Sequence, residues 1–214
     1  MKCFKNAVLF VALLMTMTLL SPGQAQAVTL YSSSASWQSA VGSYNAITSL
    51  NAITNSTNIS SFALPSGTTA SLSQAMTVYS IGDGWATWSG GYTGKVLGTT
   101  NYFSIVSTFS SPVYGFGFEM EPNNYQDYLL TLTLNDGSTL SQTVNGNAGA
   151  KFFGWADGSV TSMTLSAASG SGGFAFGNMF EAGGQSPAIP EPASLSLLGL
   201  GLFGLLRFGK RKKL

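Results

Sequence analysis

The sequence predicts a mainly β protein, a β-sandwich or jelly roll with one short N-terminal helix. Three observations carry this. Short runs alternate apolar and polar residues, as in Leu130, Leu132 and Leu134. Gly, Asn and Asp-Gly punctuate those runs at short intervals, as turns between strands do. Between two unlike ends lies a stretch from Val28 to about Ile189, long enough to bury a core without cross-links.

The N-terminal end reads as a secretory signal. Lys2 and Lys5 precede an apolar core from Ala7 to Leu20, Ser21-Pro22-Gly23 breaks it, and Ala25-Gln26-Ala27 is a small-x-small cleavage site. The expected mature chain starts at Val28, with 1–27 removed. Cys3, the single cysteine, lies within the removed segment, so the mature chain has no thiol.

Next comes the helix. Ser34 or Ser36 is the expected cap, and Trp37, Ala40, Val41 and Tyr44 recur at helical spacing. Thr48 to Ser73 is rich in Ser, Thr and Asn and reads as strands with long loops. Gly82 to Gly98 is glycine-rich and reads as a long loop or irregular edge. From Asn101 to Phe109 alternation places Phe103, Ile105 and Phe109 on one face, and Ser110-Ser111-Pro112 is expected to end the run. Tyr114, Phe116, Phe118 and Met120 then share a face, while Gly115 and Gly117 strip the other for a close neighbour. Leu130 to Leu134 and Leu140 to Val144 form a hairpin around Asn135-Asp136-Gly137. Further strands are expected at Val160 to Ala167 and Phe174 to Phe180. Residues 28–182 make the β domain, and 183–189 a Gly-rich linker.

The tail, 190–214, has three parts in order. Pro190-Glu191-Pro192 forbids helix and leaves an extended segment. Ala193 to Leu206 is an uncharged run of 14 residues, a helix of about 21 Å, short against a bilayer core of about 30 Å. Arg207, Lys210, Arg211, Lys212 and Lys213 form a basic end that stays cytoplasmic, so the Pro-Glu-Pro segment faces outward from a single marginal membrane helix.

The charges divide accordingly. Between the two ends only Lys95 and Lys151 oppose Asp83, Glu119, Glu121, Asp127, Asp136, Asp157 and Glu181, a balance of 2 − 7 = −5. No basic patch exists, which argues against nucleic acid as a partner. The chain has no histidine, so triad chemistry and the usual zinc sites are excluded.

Three kinds of site remain. Trp85, Trp88 and Tyr92, among amides and glycines, are the candidate glycan-stacking residues, with core filling as the competing role; in a regular strand Trp85 and Trp88 would point to opposite faces. Asp83, Asp127, Asp136 and Asp157 are the calcium candidates, although Asp136-Gly137 and Asp157-Gly158 read equally as turns needing no ion. Glu119, Glu121 and Asp127 would serve a carboxylate-dependent, glycan-acting enzyme, with Glu119 and Glu121 on one side of a strand. A non-catalytic protein without cofactor is the leading expectation.

Motif, small residue at Ala193, Leu-rich run and basic end together resemble the PEP-CTERM sorting signal of Gram-negative bacteria that make exopolysaccharide. The resemblance implies export, transient membrane arrest, and cleavage near Glu191 by an exosortase. It also implies delivery to the cell surface or matrix, in association with exopolysaccharide or biofilm. The second half of the body is loosely similar to the β-rich ectodomains of such proteins. Those often carry an acid near the end of the final strand, where this chain has Gly177-Asn178-Met179-Phe180, so no ligand role is carried over to that position.

Overall fold

A computed structural model of the chain describes residues 27–183. The signal segment before Ala27, most of the linker and the whole sorting tail, including its expected membrane helix, lie outside the described residues. Among those described, no helix is long and apolar enough to cross a membrane.

The described chain is mainly β. Strands β1 (Thr29–Tyr31), β2 (Tyr44–Ala46), β3 (Thr57–Ala63), β4 (Thr69–Ile81), β5 (Gly84–Trp85) and β6 (Lys95–Thr99) come first. They are followed by β7 (Ser104–Pro122), β8 (Asp127–Leu134), β9 (Thr139–Asn145), β10 (Lys151–Ala167) and β11 (Phe174–Ala182). One helix, α1 (Ser34–Val41), lies between β1 and β2.

All the strands belong to one hydrogen-bonded sheet that folds over on itself. The long strands β4, β7 and β10 pass through both layers of the resulting sandwich. In one layer β9, β8, the second half of β10, the first half of β7 and the start of β4 lie side by side. In the other, β1, the first half of β10, the second half of β7, β11, β6 and the later part of β4 do so. The layers enclose one core. Phe109 of the first half of β7 packs on Phe116 of the second half and on Trp155 of β10, with ring centroids 6.1 and 6.0 Å apart.

The corners are where sequence and structure part. Pro112 does not end a strand. It sits inside the 19-residue β7, in a gap between the pairs Thr108–Ser162 and Val113–Val160 where no ladder partner is formed. Its missing N–H therefore costs no ladder bond. Asp157-Gly158 is likewise not a turn between strands but an interruption of register within β10, with Asp157 at φ 64°. Such bulges bend a strand and increase its twist. Phe103 does not share the buried face of Ile105 and Phe109: it precedes β7 and is 42% exposed.

The hairpin of β8 and β9 forms as expected, with Leu132 opposite Leu140 and Leu130, Leu132 and Leu134 buried. Helix α1 forms too, but its cap is Ser33, whose hydroxyl accepts from the Ser36 N–H, rather than Ser34 or Ser36. Tyr44 has left the helix for β2, and still packs against Trp37 at 5.7 Å. Gly183, placed in the linker by the sequence, is bonded to the Ser43 carbonyl through its N–H.

Trp37 anchors the helix to the sheet. It is fully buried, donates its indole N–H to the Trp155 carbonyl at 2.7 Å, and lies over Gly117, where a Cβ would come 3.2 Å from the indole and 2.5 Å from the Phe152 ring. The glycine face of β7 is thus the seat of α1. Trp37→Ala is expected to cost about 3–5 kcal/mol, since it removes a buried aromatic and its hydrogen bond to the Trp155 carbonyl. Urea unfolding of the two proteins measures it.

Candidate functional site

The outward face of the second half of β7 reads Gly115, Gly117, Glu119, Glu121, alternating with the core residues Phe116, Phe118 and Met120. Helix α1 covers the glycines. The segment from β5 to β6 covers the acids. Trp88 donates its indole N–H to Glu119 Oε2 at 2.6 Å, and Trp85 donates to Glu121 Oε2 at 2.9 Å. Glu119 and Glu121 do share one side, as the strand period requires. The odd spacing of Trp85 and Trp88 is resolved because β5 ends at Trp85, so the two residues do not share one paired strand and both indoles reach β7.

The two indoles are therefore inside. Trp85 is 4% and Trp88 5% exposed, and with Val96, Ala150 and Ala175 they form a small second core. Tyr92 packs on Trp88 at 6.2 Å and donates its hydroxyl to the Lys95 carbonyl, and burial pushes its phenol pKa up. The burial of Trp85 and Trp88 is that of the core-filling alternative, and Tyr92 is half-buried beside them. A buried tryptophan needs an acceptor for its N–H, and Glu-x-Glu beside two facing glycines was the sequence signal that supplied two.

Glu121 is the most constrained acid. It is 0% exposed and also accepts from the Gly149 N–H at 3.1 Å and the Thr87 hydroxyl at 3.4 Å. Loss of solvent outweighs these donors and raises its pKa from 4.5 to about 7. Through Glu121 the segments around Trp85, Thr87 and Gly149 are held to β7.

The other acids are scattered, and no cluster of three or more metal-binding side chains occurs among the described residues. Asp136 accepts from Ser138 within its own turn, Asp127 from the Asn145 side chain at 2.6 Å, and Asp157 from Thr29 at 3.5 Å. Asp83 lies in the bend between β4 and β5, where its backbone pairs with Ser80. Glu181 was passed over by the sequence reading, which looked for an acid at Gly177 to Phe180. It stands one residue from the end of β11, and its carboxylate accepts the Ser66 N–H at 2.8 Å, a tie between β11 and the turn before β4.

Beside Trp85 the surface opens into a groove of about 380 Å3, lined by Trp85, Thr87, Asn123, Asn124, Tyr125 and Gly146 among others. The Asn123 and Asn124 side-chain N–H groups turn inward to the Gly172 and Gly170 carbonyls, at 3.2 and 2.7 Å. Their Oδ1 atoms accept no hydrogen bond from the described residues. Gly146 must lack a side chain, because a Cβ there would run into the Asn124 carbonyl. Tyr125 is 57% exposed. No motif in the sequence marks Asn123-Asn124-Tyr125; the fold alone brings these residues beside Trp85 and Gly146.

This architecture defines a mainly β ectodomain with its tryptophans inside and Asn123, Asn124 and Tyr125 at a surface groove. The tail then places the chain more closely: it carries the PEP-CTERM protein-sorting motif, whose family model matches residues 188–212. That motif is consistent with export and a transient C-terminal anchor. No curated protein matches the chain. Among solved structures the chain is similar to two variants of the family 29 carbohydrate-binding module CBM29-2. Their TM-scores are 0.34 and 0.30, at 15% and 14% identity, each covering 70% of this chain and 99% of the module. It is also similar to the enzymatically active domain of bacteriophage CBA120 tailspike protein 4. The TM-score is 0.28 at 16% identity, over 59% of this chain and 21% of that one.

Glu121 makes stability depend on pH. Its folded pKa lies above the unfolded one, so the folded state binds the extra proton between about pH 4.5 and 7, and stability falls as pH rises through that window. The loss is on the order of 3 kcal/mol. Urea unfolding from pH 4 to 8 should show this slope in the native protein. It should be flattened in Glu121→Gln, which has no proton to lose there.

Proposed function

We propose that this chain is an exported, non-catalytic surface or matrix protein. An exosortase processes it at the tail, and its β domain associates with exopolysaccharide. The observation that carries the reading is the PEP-CTERM motif at 188–212. Its mechanism has three steps: export with cleavage after Ala27, arrest of the tail helix in the inner membrane with Arg207 and Lys210 to Lys213 inside, and exosortase cleavage near Pro190 to Pro192. The final location is the cell surface or the extracellular matrix.

The glycan-acting enzyme is the weaker reading for a geometric reason. Glu121, the most deeply buried acid among the described residues, has no exposed surface and does not line the groove, and its oxygens are taken by Trp85, Thr87 and Gly149. Glu119 is engaged by Trp88. A glycosidase needs both an acid and a second carboxylate in reach of the sugar. The low charge of the body, with Ser, Thr and Asn over its strands, suits a hydrated neutral matrix.

Intact mass of the extracellular protein from an exosortase-positive host tests the sorting reading. The expected species begins at Val28 and ends close to Glu191. A released species that retains Lys210 to Leu214 would overturn it.

A further inference from the structure

We infer that the groove beside Tyr125 is a binding site for a short segment of neutral glycan, with the Tyr125 ring as the stacking surface and the Asn123 and Asn124 side-chain oxygens as acceptors for sugar hydroxyls. This deepens the proposed association with exopolysaccharide and rests on it.

Four observations converge on this site. First, Tyr125 is the most exposed of the large hydrophobic side chains among the described residues, and it lies at a concavity rather than on an open strand face. An aromatic face in water loses little by stacking on the apolar face of a sugar ring, and its hydroxyl stays available to the solvent side. Second, the groove supplies acceptors that are already positioned. The Asn123 and Asn124 amide nitrogens are anchored on the loop from Gly170 to Gly173, and the backbone N–H groups of both residues are bonded to Gly173 and Ser171. Their oxygens are thus fixed before any ligand arrives, which lowers the ordering cost of binding.

Third, the size fits a short segment. A space of about 380 Å3 is at the low end of the range for ligand clefts, roughly 300–1,000 Å3. Fourth, the electrostatics select a neutral partner. No charged side chain lines the groove, and Glu121 and Asp127 flank the Asn123 to Tyr125 segment in the chain. Lys95 and Lys151 are the only cations among the described residues, and the Lys95 ammonium is bonded to the Ile53 carbonyl. A polyuronate would find no cation in the groove to pair with its carboxylates.

Affinity electrophoresis of the purified protein tests this, in gels containing galactomannan, hydroxyethyl cellulose or alginate. The expected result is retardation by at least one neutral polymer and none by alginate. Tyr125→Ala should weaken that retardation at least about tenfold, while Tyr125→Phe, which keeps the ring, should retain it. Tyr44→Ala removes an exposed aromatic paired with the opposite end of β11 and should leave binding unchanged. Unaltered thermal unfolding of Tyr125→Ala excludes a folding defect. Retardation that survives Tyr125→Ala overturns the site but leaves glycan association standing. Retardation by neither neutral polymer, or stronger retardation by alginate, overturns the site and its ligand class. None of these results depends on tail processing, which the intact mass reads separately.

Discussion

The unequal two faces of β7 between Val113 and Pro122 constrain everything packed around them. Phe116, Phe118 and Met120 on one face build the core between the layers. The other face offers two glycines and then two acids. β7 is paired on both sides by β10 and β11, so whatever covers this face packs on it from outside the ladder. Cover has to come from elsewhere in the chain. It comes as a helix over the glycines, where Trp37 fits against bare backbone, and as two indoles over the acids. Each covering element is chosen by what β7 lacks or presents at that point.

The acid half of this arrangement is a compromise. Placing Glu121 out of water opposes its ionisation, and three donors on one carboxylate recover part of that, at about 1.5–3 kcal/mol for each bond to the charged form. They do not recover all of it, which is why its pKa stays near neutrality. In return the carboxylate gathers the Trp85 segment and the turn at Gly149 to the end of β7, where the chain then leaves the sheet as Asn123-Asn124-Tyr125. The groove wall is therefore fixed from behind by a polar contact that the groove itself does not expose.

Much of the fold could be read from the sequence because its evidence was local. The β8–β9 hairpin needs only alternating leucines and an Asp-Gly turn, and both are present within a single window. Pro112, Phe103 and Asp157-Gly158 misled for a common reason: a long strand that turns a corner carries breaker residues inside it. A proline is harmless in a gap in the ladder, and an Asp-Gly pair can be a bulge. Whether a breaker ends a strand or bends it depends on the partner strand some fifty residues away in the chain, as Val160 is from Val113. The sorting motif, by contrast, was legible from the sequence, since a motif acts by linear order and needs no fold.

The same distinction explains the fate of the aromatic residues. Tryptophan among glycines suggests an open surface only if nothing nearby demands an indole. Here Glu119 and Glu121, more than thirty residues further on, demand two, and the N–H groups of Trp85 and Trp88 are satisfied inside. Tyr125 has no such claim on it. It follows the last β7 residue by three positions, its backbone is set by amides that face the Gly170 to Gly173 loop, and its ring is left in solvent. The residues that look most like a binding surface in the sequence thus serve to build the wall, and the exposed ring beside the groove belongs to a turn that carries no motif at all.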